Sequence, residues 1–213
     1  EVEIDVTELE KFISEQRKAG LKITMTHVIM LIMARGLKDE APELNAYFRR
    51  GKIIPRSSVD VSVSVLQADG GMGSVLVEDA DQLNLQQAEQ VLREKIQATR
   101  QGSEKRLNQS KNMISSIPWP FRQWLFNLYA FLTFKCGIAL PLFKASPHAF
   151  GSFVLTNIGS IGLDKGYPAL MPSSTVSFVI VMGGISKKPW VVNDRVEIRR
   201  IMSLSTVIDH RIA

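Results

Sequence analysis

Trp190-Val191-Val192-Asn193-Asp194-Arg195-Val196-Glu197-Ile198 reads as two short strands around a two-residue turn. Asn193-Asp194 supplies the turn chemistry, because both residue types tolerate the left-handed backbone of a tight hairpin. Outward from this hairpin the C-terminal part holds strands only. Ser152 to Thr156, Thr175 to Met182, Trp190 to Val192, Val196 to Ile198 and Arg200 to Ile208 are each rich in apolar and β-branched residues. The N-terminal part has a different rhythm. Glu1 to Val6 alternates as a strand. Thr7 with Glu10 then predicts a capping box, Leu9, Phe12 and Ile13 follow at helical spacing, and Gly20 can close that helix. Thr26 opens a second helix, apolar all round from Val28 to Ala34, which Pro42 should end.

Lys52-Ile53-Ile54 and Val59 to Leu66 read as further strands. Val59, Val61, Val63 and Val65 share one face of the second, with Asp60, Ser62 and Ser64 on the other. A turn at Asp69-Gly70-Gly71 leads to a strand from Ser74 to Glu78. A helix starting at Asn84 turns Leu85, Ala88, Val91, Leu92 and Ile96 inward and stops near Gly102; residues 100–111 are a basic, solvated helix end or linker. Helices early and strands late predict an α+β sandwich, a mixed β-sheet with helices on one face. Gly70-Gly71-Met72-Gly73 lacks the spacing and the following helix of a dinucleotide-binding unit.

Length and composition bound the function. The 213 residues, 45% of them hydrophobic, suffice for one sizeable core. A net charge of +5 suits an anionic partner without choosing one. No zinc-finger spacing and no arginine-rich run supports nucleic acid. Cys136 is the single cysteine, so no intrachain disulfide forms, and the count fits a cytoplasmic or other reducing compartment. Cys136 reads as a small buried hydrophobe, not a nucleophile. No signal peptide is legible at Glu1.

Three histidines are candidates for chemistry. His27 opens an apolar helix and reads as structural; His148, in Ser146-Pro147-His148, reads as a loop residue. His210 lies between Asp209 and Arg211, directly after a β-rich run, which is an unusual place for core filler. Asp209-His210-Arg211 resembles the Asp-His-Arg-x-x-Asp-Gly signature of the dihydrolipoyl acyltransferases of 2-oxoacid dehydrogenase complexes. These share their fold with chloramphenicol acetyltransferase. Phe153-Val154-Leu155-Thr156-Asn157-Ile158-Gly159 is similar to that family's Phe-Thr-Ile-Ser-Asn-Leu-Gly segment, and Pro42-Glu43-Leu44-Asn45-Ala46 to its Pro-x-Leu-Asn-Ala segment. Val59 to Val65 with Asp69-Gly70 resembles the strand and turn before its Gly-Leu-x-x-Pro-Val stretch. That stretch itself appears as Gly71-Met72-Gly73-Ser74-Val75, without the proline, a departure expected to alter acyl or acceptor choice. The second Asp of the histidine signature falls one position beyond Ala213.

The resemblance implies coenzyme A as a substrate, a lipoyl group on a partner domain as the acyl carrier, and no metal. It makes His210 the base that takes a thiol proton, since imidazole titrates near the working pH. It makes Thr156 the hydroxyl that donates to the tetrahedral oxyanion. Asp209, Arg211 and Asn157 are supporting residues, and no position is assigned to cofactor binding. It further implies homotrimers, with His210 facing Thr156 of a neighbour, and larger cages built from them. On residue type alone Thr156 is an ordinary β-branched strand residue, Asn157 a turn former, and Asp209 with Arg211 a surface pair. Two rivals remain: a scaffold of the same fold without activity, and an acyltransferase with a non-lipoyl acceptor.

The resemblance covers the domain 1–213 except for a hydrophobic insertion at 117–150. There Phe121, Trp124, Leu125, Leu128, Phe131 and Leu132 fall on one helical face. Gly137, Pro141 and the internal Lys135 argue against a simple transmembrane helix. Three readings stand: a helix packed on the domain or on a neighbouring subunit; a membrane-surface contact through Trp119, Trp124 and Tyr129, with Arg122, Lys135 and Lys144 meeting anionic lipid; or a lid over an acyl pocket.

Overall fold

The computed structural model describes residues 1–66, 71–99, 118, 121–131, 148, 150–170 and 174–212. The Asp69-Gly70 turn, the helix stop near Gly102, the stretch 100–111, Trp119, Lys135, Cys136, Gly137, Pro141 and Lys144 lie outside them. Strand β1 (Val2–Asp5) leads into helices α1 (Thr7–Lys18) and α2 (Met25–Asp39). A 3-10 turn at Pro42–Leu44 precedes β2 (Ala46–Arg49), β3 (Lys52–Pro55), β4 (Val61–Leu66) and β5 (Met72–Val77). Helices α3 (residues 85–99) and α4 (Phe121–Ala130) follow, then β6 (Phe153–Asn157), β7 (Phe178–Val192) and β8 (Arg195–Ile208).

Six strands form one sheet in the order β1-β8-β7-β6-β4-β5, and β2 pairs with β3 apart from it. β4, β6 and β7 run parallel at the centre; the outer pairs are antiparallel. The sheet is thus mixed, as the order of elements in the sequence predicts. Val61, Val63, Phe153, Leu155, Phe178, Ile180 and Met182 turn to one face and are buried with Ile29, Met30, Ala34 and Leu37 of α2 and Ala88 and Leu92 of α3. Phe153 and Phe178 stack with ring centroids 4.8 Å apart at the middle of this core. Strand alternation puts Ser62, Thr156 and Ser205 on the opposite face.

Local departures from the sequence reading have identifiable causes. Thr7 and Glu10 form no capping box: Val6 is the N-cap and no side chain caps α1. The Thr7 hydroxyl instead donates to Asp5 and accepts the Arg200 backbone N–H, while Glu10 takes the Arg200 guanidinium at 2.6 and 3.2 Å. A tertiary partner on β8 outbids the local one. The capping box belongs to α2, which begins at Met25 after Thr24 and not at Thr26. Thr24 is the N-cap and His27 closes the box, with the Thr24 N–H donating to His27 Nδ1 at 3.1 Å. α3 is capped reciprocally by Asn84 and Gln87. α2 ends at Asp39, and Pro42 begins the 3-10 turn rather than ending the helix.

β2 is a strand that the sequence reading lacks. Its consecutive aromatics Tyr47 and Phe48 break the expected alternation, because each packs against a different set of side chains. The segments read as four short C-terminal strands, from Thr175 on, are two long ones. The Asn193-Asp194 turn forms as expected, with φ of 49° and 61°. β7 continues through Gly183-Gly184 by a bulge between Met182 and Ile185. It tolerates Pro189 because β6 pairs with it only from Phe178 to Met182, and among the described residues no other strand takes that edge further on. Gly183 is required by space: a Cβ there would overlap the Asp164 carbonyl oxygen, and one on Gly159 would lie 2.6 Å from the Gly183 oxygen. The chain after β6 therefore lies directly on the bulge.

Candidate active site

The ladder between β7 and β8 runs one bond beyond Ile208, where the Asp209 N–H donates to the Ser177 carbonyl at 2.9 Å. The backbone then turns, and the Ile212 N–H returns to the Asp209 carbonyl at 3.0 Å. Ile212 is buried and pins the far side of the turn. His210 is left exposed at the tip. Its neighbours hold each other below it. Arg211 forks onto the Asp209 carboxylate, Nε at 2.8 Å from Oδ1 and Nη2 at 2.6 Å from Oδ2, and its backbone N–H donates to Oδ1 at 3.1 Å. These bonds hold the Asp209 carboxyl below its usual range, against the opposing effect of partial burial. Arg211 also lies 4.8 Å over the Phe48 ring of β2.

Beneath this turn runs a polar chain of small side chains. Ser152 donates to Asn45 Oδ1 at 2.7 Å, and Asn45 Nδ2 donates to the Ser58 carbonyl at 3.1 Å. The Ser177 N–H donates to the Ser152 carbonyl at 2.9 Å, and the Ser177 hydroxyl to the Ala46 carbonyl at 2.5 Å. Ser177 in turn receives Asp209. All three side chains are buried. Asn45 is visible in the Pro-x-Leu-Asn-Ala segment; Ser152 and Ser177 carry no motif of their own. Their one signal is position, each standing just before an apolar strand.

Thr156 lies on β6, half-buried, on the sheet face away from the core. Its register level is that of Val181 and Ser205, whereas the histidine turn begins beyond the Phe178–Ile208 level. Three residues along the strands and two strand spacings put it ~14 Å from the end of β8, before His210 is reached. One copy of the chain does not bring the two together. Asn157 points to the helix side, donating to Thr26 Oγ1 at 3.1 Å and accepting the Ser160 N–H at 3.2 Å. It ties the end of β6 to the start of α2 and to the backbone of the 3-10 turn Gly159–Ile161. A cavity of about 220 Å³ next to it is lined by Met25, Met182, Ile185 and Met202, with the Glu10–Arg200 pair at its edge. It includes neither His210 nor Thr156. Among the described residues no group of three His, Cys, Asp or Glu side chains could hold a metal.

The fold and this arrangement define a class. The family described as 2-oxoacid dehydrogenases acyltransferase (catalytic domain) matches residues 1–117 and 144–213, and the chain belongs to that family. The break in the match, 118–143, falls within the hydrophobic stretch. The dihydrolipoyllysine-residue acetyltransferase component of the pyruvate dehydrogenase complex of Rickettsia conorii is 23% identical over 98% of this chain and 40% of its own length. The corresponding protein of Acholeplasma laidlawii is 37% identical over 62 residues, 29% of this chain and 11% of the relative. The chain spans at most two-fifths of these relatives. A probable dihydrolipoamide acetyltransferase from Listeria monocytogenes superposes with a TM-score of 0.71 at 19% identity, covering all of this chain and 74% of that one. The cubic core of the pyruvate dehydrogenase multienzyme complex superposes with 0.67 at 19% identity, over all of this chain and 72% of that one. At these identities the superpositions establish the fold.

Proposed function

We propose that the chain moves an acyl group between coenzyme A and a dihydrolipoamide-type thiol, at sites shared between copies of a homotrimer. His210 takes the proton from the attacking thiol. The thiolate adds to the thioester carbonyl, and Thr156 of the neighbouring copy donates to the oxyanion. The tetrahedral intermediate then expels the other thiolate, which recovers the proton from His210. The carrying observation is the pairing of an exposed, rigidly mounted histidine with a hydroxyl that the same copy keeps ~14 Å or more away. A second copy completes such a site; a single copy does not. The Asp209–Arg211 fork keeps the histidine turn in shape without touching substrate. A lipoyl domain, a cage of trimers and a reducing compartment accompany this reading. The test is acyl transfer from acetyl- and longer acyl-coenzyme A to dihydrolipoamide by wild type and His210→Ala. Turnover abolished in the variant supports the reading. Equal turnover removes His210 from it; coenzyme A binding without turnover in the wild type points to a non-lipoyl acceptor; and neither binding nor turnover favours the scaffold.

For the segment 117–150 we propose contact with a membrane surface. Phe121, Trp124 and Leu128 on α4 and Phe131 just past its end recur at helical spacing and are exposed at 66, 65, 38 and 51%. Their exposure speaks against packing on the chain's own described residues, and no helix among those residues is long and apolar enough to cross a bilayer. Vesicles of anionic phospholipid should sediment the wild type and release a Phe121→Ser, Trp124→Ser variant. Equal sedimentation of both, or of neither, contradicts this contact.

A further inference from the structure

We propose that the β2–β3 hairpin is a phosphate-binding subsite, which takes the phosphate groups of coenzyme A. The inference rests on the acyltransferase reading for the identity of the ligand, and on the hairpin alone for its chemistry. From Tyr47 to Arg56 the chain reads Tyr-Phe-Arg-Arg-Gly-Lys-Ile-Ile-Pro-Arg, four cations without a carboxylate. The turn at Arg50-Gly51, φ 51° and 76°, brings Arg49 opposite Lys52. Arg56 folds back, so that two guanidinium groups lie on one aromatic ring: Arg56 at 5.0 Å and Arg49 at 5.5 Å from the Tyr47 centroid. His148 meets the same ring edge-on at 4.9 Å.

Several cations elsewhere among the described residues are paired with carboxylates. Arg199 has Asp5, Arg200 has Glu10, Lys188 has Glu3 and Arg211 has Asp209. Among the described residues no carboxylate forms an ion pair with Arg49, Lys52 or Arg56. Asp60 acts on Arg56 from a distance only, and its carboxylate accepts the Asp79 N–H. Arg56 is held by neutral acceptors, the Thr175 carbonyl at 2.5 Å and hydroxyl at 3.0 Å, and its buried Nε has no acceptor. Clustered like charges cost stability unless an anion joins them. Guanidinium forks suit phosphate oxygens in particular.

The hairpin is joined to the histidine turn on both sides. Phe48 carries Arg211, and Thr175, which holds Arg56, stands two residues before Ser177, which holds Asp209. The cations of Arg49 and Lys52 then lead away from His210 along the hairpin. A ligand with its thiol at the histidine and its phosphates further out matches this order.

The experiment is calorimetric titration of the intact protein with coenzyme A, 3′-dephospho-coenzyme A, pantetheine and inorganic pyrophosphate. Arg49→Gln/Lys52→Gln, a double change on the exposed hairpin tip, is compared with wild type. The inference expects the variant to lose about tenfold or more in coenzyme A affinity, with pantetheine affinity unchanged. KM for coenzyme A should rise at constant kcat. A 3′-phosphate in the subsite shows as a smaller loss with the dephospho compound, a diphosphate as an equal one. Equal coenzyme A binding by both proteins overturns the subsite, as does parallel loss of coenzyme A and pantetheine. Pyrophosphate binding that the variant loses, with no binding of coenzyme A or pantetheine, upholds the phosphate chemistry and overturns the acyltransferase reading.

Discussion

His210 stands between the two halves of an ion pair, and that placement separates two tasks. Asp209 and Arg211 spend their hydrogen bonds on each other, so the turn is stiff while the imidazole stays exposed. The depressed Asp209 carboxyl keeps the fork charged at neutral pH; its contribution fades only as pH falls through the folded value, below the ordinary carboxylate range. At this scale His210→Ala should lower acyl transfer by roughly 10²–10⁴, the worth of a positioned base. Thr156→Ala should lower it by roughly 10²–10³, and Thr156→Ser should retain most of it, because the donor is the hydroxyl. Coenzyme A affinity should hold in all three, which separates lost chemistry from lost binding. Loss of affinity in step with rate would contradict these roles.

At the scale of elements, α2 supplies a second, structural histidine. His27 caps the helix through Nδ1, and burial pushes its pKa below the ordinary imidazole value, with Glu89 opposing and Arg17 assisting. The unfolded chain therefore binds the proton first. Stability is fully present above the unfolded value, ~6.5, and declines as pH falls below it. Thermal melts at pH 7.5 and 5.5 check this: wild type should lose more on acidification than His27→Gln, and equal losses would contradict it. The half-buried His148 shifts in the same direction and remains in both proteins. His27 also marks what was legible in the sequence. Its structural role, the valine face of β4, the inward face of α3 and the Asn193-Asp194 turn follow from periodicity and turn chemistry, which are local. β2, the continuity of β7 past Pro189 and the fate of Glu10 depend on partners distant in sequence. Met182 reads as the end of one strand and Trp190 as the start of another until β8 is seen to pair with both, and Glu10 reads as a cap residue until Arg200 is placed beside it. The site divides in the same way. The histidine turn and Thr156 were legible through short motifs, whereas Ser152 and Ser177 gain meaning only through the chain they build under Asp209.

At the scale of the whole molecule, the chain belongs to the 2-oxoacid dehydrogenase acyltransferase catalytic domains and has their fold. Its sheet separates the proposed base and oxyanion donor by two strand spacings and three residues along the strands, so the proposed chemistry requires two copies. Co-expression of His210→Ala with Thr156→Ala chains, followed by purification of the mixed oligomers and an acyl-transfer assay, tests this most directly. Each variant alone should fall to roughly a hundredth of the wild-type rate or below. Random mixing in a closed cyclic oligomer should restore roughly a quarter of the wild-type sites, where a His210 of one copy meets a Thr156 of the next. Mixed oligomers as inactive as the separate variants would place both residues in one copy's site, or neither in any, and would contradict the account.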